Sequence, residues 1–147
     1  MKCLSWFDYE DTSLFDPLVN YFDTLIIGNS IGLDDRSKYT QELFSKEKKN
    51  ISNFQVLYDE ETSQNLTITL DQEDVSIKNT SVIKDKFFNQ KILIDMTCFD
   101  VQDLTYLLYI LCKEKITFSI CYVEPKEYKK KLCTRQISQN PYPIRIL

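Results

Sequence analysis

Two carboxylates stand out by position. Asp95 closes the apolar run Lys91–Met96 (KILIDM), and Glu124 follows the run Ile116–Val123 (ITFSICYV). A carboxylate at the end of a buried strand costs free energy unless it is paired or hydrogen-bonded, so it either caps neighbouring backbone or faces a site. If the two runs are neighbouring strands, Asp95 and Glu124 share one sheet edge, where paired carboxylates can do acid–base work or hold Mg²⁺. The structural alternative is capping, or pairing with lysine. Thr97 and Cys98 lie just before the helix signal at Asp100, a setting that can lower a thiol pKa, but no base accompanies Cys98 in the sequence.

A second cue is the loop Gly28-Asn29-Ser30-Ile31-Gly32, which holds the only two glycines of the chain between a strand signal and a capped helix signal. Glycine permits close backbone approach, and a helix N-terminus offers unpaired N–H groups to an anion. The loop lacks the lysine of a phosphate-binding loop and the spacing of the dinucleotide fingerprint, and two glycines can equally make a tight turn. The ligand-binding candidates are therefore Gly28, Asn29, Ser30, Gly32, Asp95, Thr97 and Glu124. A nucleotide-like molecule is the ligand class they suit; no cofactor is specified, and no residue is assigned a catalytic role.

Composition removes several chemistries. The 147 residues contain no histidine, so Ser–His and Cys–His nucleophiles and histidine-ligated metals are excluded, and the balance leans away from an enzyme. The five cysteines are odd in number with no C-x-x-C pair, which is neither a disulfide framework nor metal-ligand spacing. Cys112 and Cys121 fall in apolar runs and read as small hydrophobes. A net charge of −4, with lysines clustered only at Lys46–Lys49 and Lys126–Lys131, argues against nucleic-acid binding through phosphates. MKCLSWFDYED lacks a signal-peptide apolar core and no run reaches transmembrane length, so a reducing cytoplasm and no membrane are expected.

The elements that must position these residues read as an alternation. Strands are predicted at Lys2–Asp8, Asp23–Ile27, Phe54–Tyr58, Leu66–Leu70, Lys91–Met96 and Ile116–Val123, with the fourth a sheet edge or the hairpin partner of the third. Helices are predicted from Ser13, from Asp34 or Asp35 to Lys46, from about Ser81, and from Asp100, where Leu104, Leu107, Leu108 and Leu111 recur at helical spacing; one or two turns follow over Lys126–Leu132. Two apolar strands joined by a helix make a βαβ unit with parallel neighbours. The expectation is one α/β domain over residues 1–133: a three-layer, Rossmann-like fold, mostly parallel, with helices on both faces. Residues 134–147 form an extended tail whose IRIL end either adds a strand to its own sheet or pairs with a protein partner. A partner protein or a homo-oligomer is expected on that ground.

The run Lys91–Tyr128 resembles the later strand–helix–strand of Rossmann-like proteins found beside bacterial anti-phage genes. In those, a strand ends in D-[IM]-T and a later one in Y-x-E-P-x-E-Y; Asp95, Thr97, Tyr122, Glu124, Pro125, Glu127 and Tyr128 stand in these positions. The opening Phe7–Asp11 is similar to their acidic start. A more distant likeness is to the CRISPR-associated Rossmann fold, whose sensors place D-x-T near a nucleotide site; the glycine pair that follows it there is missing from this chain. The resemblance covers about a quarter of the chain strongly and implies the fold and a bacterial defence setting; with the absent histidine, the single glycine loop and the apolar tail, the expectation is a non-catalytic subunit or sensor of a defence assembly. The alternative is a carboxylate-dependent nucleotide-processing enzyme or toxin using Asp95 and Glu124.

Overall fold

The computed structural model describes residues 4–8, 19–28, 36–58, 66–76, 79–123 and 143–146. In chain order these give β1 (Leu4–Asp8), β2 (Thr24–Gly28), α1 (Arg36–Lys46), β3 (Asn50–Tyr58), β4 (Leu66–Leu70), β5 (Glu73–Ser76), α2 (Ser81–Lys86), β6 (Ile92–Asp95), a 3-10 turn (Met96–Cys98), α3 (Val101–Lys113), β7 (Phe118–Val123) and β8 (Pro143–Ile146). The strands form one mixed sheet in the order β1-β8-β7-β6-β2-β3-β4-β5. Its middle is parallel: β7, β6, β2 and β3 run the same way, with Leu25 opposite Ile51 and Leu93, and Ile94 opposite Ile120. From β7 to β5, three of five pairings are parallel and the last two, β3–β4 and β4–β5, are antiparallel. The remaining two, β7–β8 and β8–β1, are antiparallel as well.

Alternation along the central strands builds two separate cores. Ile26, Ile92 and Ile94 join Phe54, Val56, Ile68 and Leu70 in one cluster, closed by Leu107, Ile110 and Leu111 of α3 and Ile83 of α2. Leu25, Ile27 and Leu93 point the other way and meet Phe44 of α1, with Val19, Phe22, Cys98 and Cys121. Both β2 and β6 are apolar at consecutive positions because successive side chains face opposite layers and each layer is covered. All four residues of β6 are buried.

At the edges the structure overturns one sequence-based expectation and chooses between the alternatives of two others. β7 is less covered than a strand packed on both faces: Phe118, Ser119, Ile120 and Tyr122 are half-exposed. β4 pairs antiparallel with β3, the second of its two alternatives, and is not an edge, since Glu73–Ser76 pairs beside it as β5; the turn residues Asp71 and Gln72 adopt positive φ, 54° and 70°, to reverse the chain. The acidic Glu73 and Asp74 disguise this strand in the sequence, and charge on an edge strand also discourages unwanted pairing. Lastly, of the two uses open to the tail, residues 143–146 take the first: β8 lies between β1 and β7 as a strand of the chain's own sheet, so the domain does not stop at residue 133. Pro143 is the first residue of that strand, where a missing donor is tolerated. The helices expected from Ser13 and over Lys126–Leu132 lie outside the described residues, apart from helical residues 19–21.

Candidate functional site

The chain leaves the β2–β6 pair in opposite directions. From β2 it passes through α1 to β3 on one side; from β6 it passes through α3 to β7 on the other. The crevice beyond the carboxyl ends of such a pair is where open α/β sheets hold ligands. Gly28 ends β2 and Asp95 ends β6, so topology brings these two candidates together.

Among the described residues, the crevice at Gly28 is occupied by the protein's own chain. After Asp95 the backbone turns through Met96–Cys98, and this turn lies across Gly28. A Cβ on Gly28 would strike the Cys98 carbonyl oxygen and come 2.8 Å from Phe99 Cδ1. Glycine is therefore required by a chain-to-chain contact. The Phe99 ring in turn lies 6.5 Å from that of Phe54.

Asp95 is wholly buried and each carboxylate oxygen has a donor. Thr97 N–H donates to Oδ1 at 2.9 Å, which makes Asp95 the cap of the 3-10 turn, and the Thr40 hydroxyl of α1 donates to Oδ2. Of the two roles open to Asp95, capping is the one its hydrogen bonds describe. Burial holds Asp95 above the usual carboxylate range, while the bonds from Thr40 and Thr97 work the other way. Thr97 extends the network to β7, its hydroxyl accepting the Val123 N–H at 3.0 Å. Cys121, opposite Asp95 in the β6–β7 register, has its thiol pushed well up by burial and by the neighbouring Asp95 and Cys98. Cys98 is buried too, so neither thiol is presented as a nucleophile.

The far wall of the crevice is closed in the same manner. β3 continues to Tyr58, past the last β2–β3 pair at Gly28 and Phe54. The Val56 N–H beyond that point is taken by Asp103 Oδ1 of α3 at 3.2 Å. Asp103 is raised by burial and then by Asp100, with the Val56 bond opposing. Asp100 itself caps α3, accepting from Asp103 N–H at 2.7 Å, as its spacing predicts.

Three candidates thus come together: Gly28, Asp95 and Thr97. Asn29, Ser30, Gly32 and Glu124 lie outside the described residues, as does the acidic stretch after Asp8. Sequence reasoning missed Thr40 and Asp103. Thr40 sits in a helix with no motif around it; Asp103 reads as an ordinary first-turn acid. Only the packing of α1 and α3 on opposite faces turns each toward the crevice. Among the described residues no group of three or more His, Cys, Asp or Glu side chains is placed to hold a metal ion, and no helix is long and apolar enough to cross a membrane. No protein-family model matches the chain, and neither a curated protein nor a solved structure matches it. Fold and site define a mixed α/β protein in which, among the described residues, the central crevice at Gly28 and Asp95 is occupied by the chain itself.

Proposed function

We propose that this chain is a non-catalytic, Rossmann-like subunit of a bacterial anti-phage defence assembly, working through contacts with other proteins. One observation carries the non-catalytic part. Asp95, the best-placed acid for chemistry, faces inward and is hydrogen-bonded by Thr40 and Thr97 beneath a turn that covers Gly28. A general acid or metal ligand needs a reacting atom within reach, and both oxygens of this carboxylate are engaged, one by the Thr97 N–H and one by the Thr40 hydroxyl. The parallel centre of the sheet, clad by helices on two faces, supports the Rossmann-like reading. The Lys91–Tyr128 resemblance supplies the defence setting. Asp95, engaged by Thr40 and Thr97, is not offered to a nucleotide-like ligand at this end of the sheet.

Two measurements test the reading. The tagged chain, expressed with the genes that flank it, should retain one or more of their products through purification; a chain that retains none removes the assembly. Asp95→Asn should leave phage resistance intact wherever the variant folds. Resistance lost in a folded Asp95→Asn protein would favour the carboxylate-dependent enzyme instead.

A further inference from the structure

The two long helices present very different outer surfaces. On α1 the exposed described side chains are Lys38, Glu42, Ser45 and Lys46, the charged mixture usual for a helix facing water. On α3 they are Val101, Gln102, Thr105, Tyr109, Cys112 and Lys113, and the only charge stands in the last turn. Val101 is 84% exposed and Tyr109 60%. Val101, Thr105, Tyr109 and Cys112 follow one another at spacings of four, four and three, so they form a single stripe. Cys112, expected from its apolar run to be core, lies on this outer face. The inner face of α3 is already used on the sheet through Leu107, Ile110 and Leu111. The stripe is therefore surplus to the chain's own core. Contiguous apolar surface of this kind marks an interaction face.

The charges at its two ends say what covers it. Asp100, exposed, stands at the amino end; Lys113, exposed, stands at the carboxyl end. The helix dipole has the same arrangement in reverse, positive beside Asp100 and negative beside Lys113. A face that is apolar in the middle and oppositely charged at its ends is complementary to itself when turned through a half-rotation about an axis near its midpoint. Residue numbers make this concrete: with the axis between Thr105 and Leu108, Val101 of one copy meets Cys112 of the other, and Asp100 meets Lys113. Antiparallel helices also set their dipoles head to tail. At the last turn of α3, Thr80 donates to Glu114 at 2.5 Å and accepts from Lys113 at 3.2 Å. The start of α2, where Val82 is 49% exposed, therefore adjoins the same end.

We infer that α3 is the centre of a twofold interface between two copies of this chain, packed antiparallel through Val101, Thr105, Tyr109 and Cys112. A closed pairing of this kind uses one patch twice, so a single apolar stripe suffices. The inference rests on the reading of the protein as one that acts through protein contacts, and it names one such contact.

Sedimentation equilibrium of the purified full-length chain over a concentration series tests it. The wild type should fit a monomer–dimer equilibrium. Tyr109→Lys puts two ammonium groups into the interface and should weaken the dimer by about a hundredfold or more, with an unchanged circular dichroism spectrum. Lys113→Glu sets like charges opposite each other at both ends and should weaken it about fivefold, an effect that shrinks in high salt. The inference is overturned by a wild type that stays monomeric throughout, and equally by a dimer indifferent to Tyr109→Lys. A monomer that still retains products of the flanking genes would give the stripe to a different protein, sinking the twofold interface while leaving the proposed function standing.

Discussion

At their amino ends β2 and β6 are tied chiefly by exposed groups, with Thr24 buried among them; at their carboxyl ends the ties run through the buried Asp95, Thr40 and Cys98. On the amino side Asp23 N–H donates to the Lys91 carbonyl at 2.8 Å, and Lys91 N–H donates to Asp23 Oδ2 at 2.8 Å. Thr24 bonds Gln90 at 2.5 Å, and the Lys91 ammonium sits 4.2 Å above the Tyr21 ring, itself 57% exposed. On the carboxyl side stand Gly28 beneath Cys98 and Phe99, and Asp95 between Thr40 and Thr97. Both ends must satisfy the backbone where pairing stops. Where solvent is available, losing a partner is repaired by water; where it is not, the orphaned group bears its full desolvation. Substitutions of similar chemistry should therefore cost very different amounts at the two ends.

The sharpest way to break that contrast is Gly28→Ala. The added methyl meets backbone, which cannot swing aside, so the cost should be about 3 kcal/mol, measured by urea denaturation. A loss under about 0.5 kcal/mol would show that the turn moves freely and that the crevice is not held shut.

Thr40→Val comes next. It keeps the shape of the side chain and removes a donor to a buried carboxylate, so about 2 kcal/mol should be lost near neutral pH. The deficit should depend on pH in a defined direction. The folded pKa of Asp95 is raised, so the stability it contributes is fully present below the unfolded value, about 3.9, and is lost as pH rises through the folded value. Removing the Thr40 donor raises that value further, so the variant should fall progressively behind wild type as the pH is taken from about 4 to neutrality. A deficit that shrinks on the way to neutrality would overturn this account of Asp95.

Lys91→Ala, at the wet end, should be smallest. It removes only the contact with the Tyr21 ring, about 0.5 kcal/mol, because the backbone bonds to Asp23 remain. A cost equal to that of Thr40→Val would erase the distinction between the two ends.

Much of this was legible in the residues. DTLII, LTITL and KILIDM become β2, β4 and β6 to within one or two positions, because their patterns demand burial that a sheet supplies. Asp100 capping α3 follows from the acid three residues on. The misses share a cause. Glu73–Ser76 is a strand because β4 offers it a free edge, against its own composition. The exposure of Cys112 and the half-exposure of β7 depend on which faces other elements leave bare.

The sequence by itself determined the alternating elements, the parallel βαβ centre and the placing of Gly28 and Asp95 each at the end of a strand, since periodicity and strand polarity are local properties. Only the tertiary structure brought the two together and decided what each is for. Gly28 reads as room for a ligand until Cys98 and Phe99 are seen to occupy it, and Asp95 reads as an acid at a rim until Thr40, fifty-five residues away, is seen to bind it. Space and hydrogen-bond partners at a strand end come from elements distant in the chain. No pattern around Gly28 or Asp95 encodes which of them will arrive.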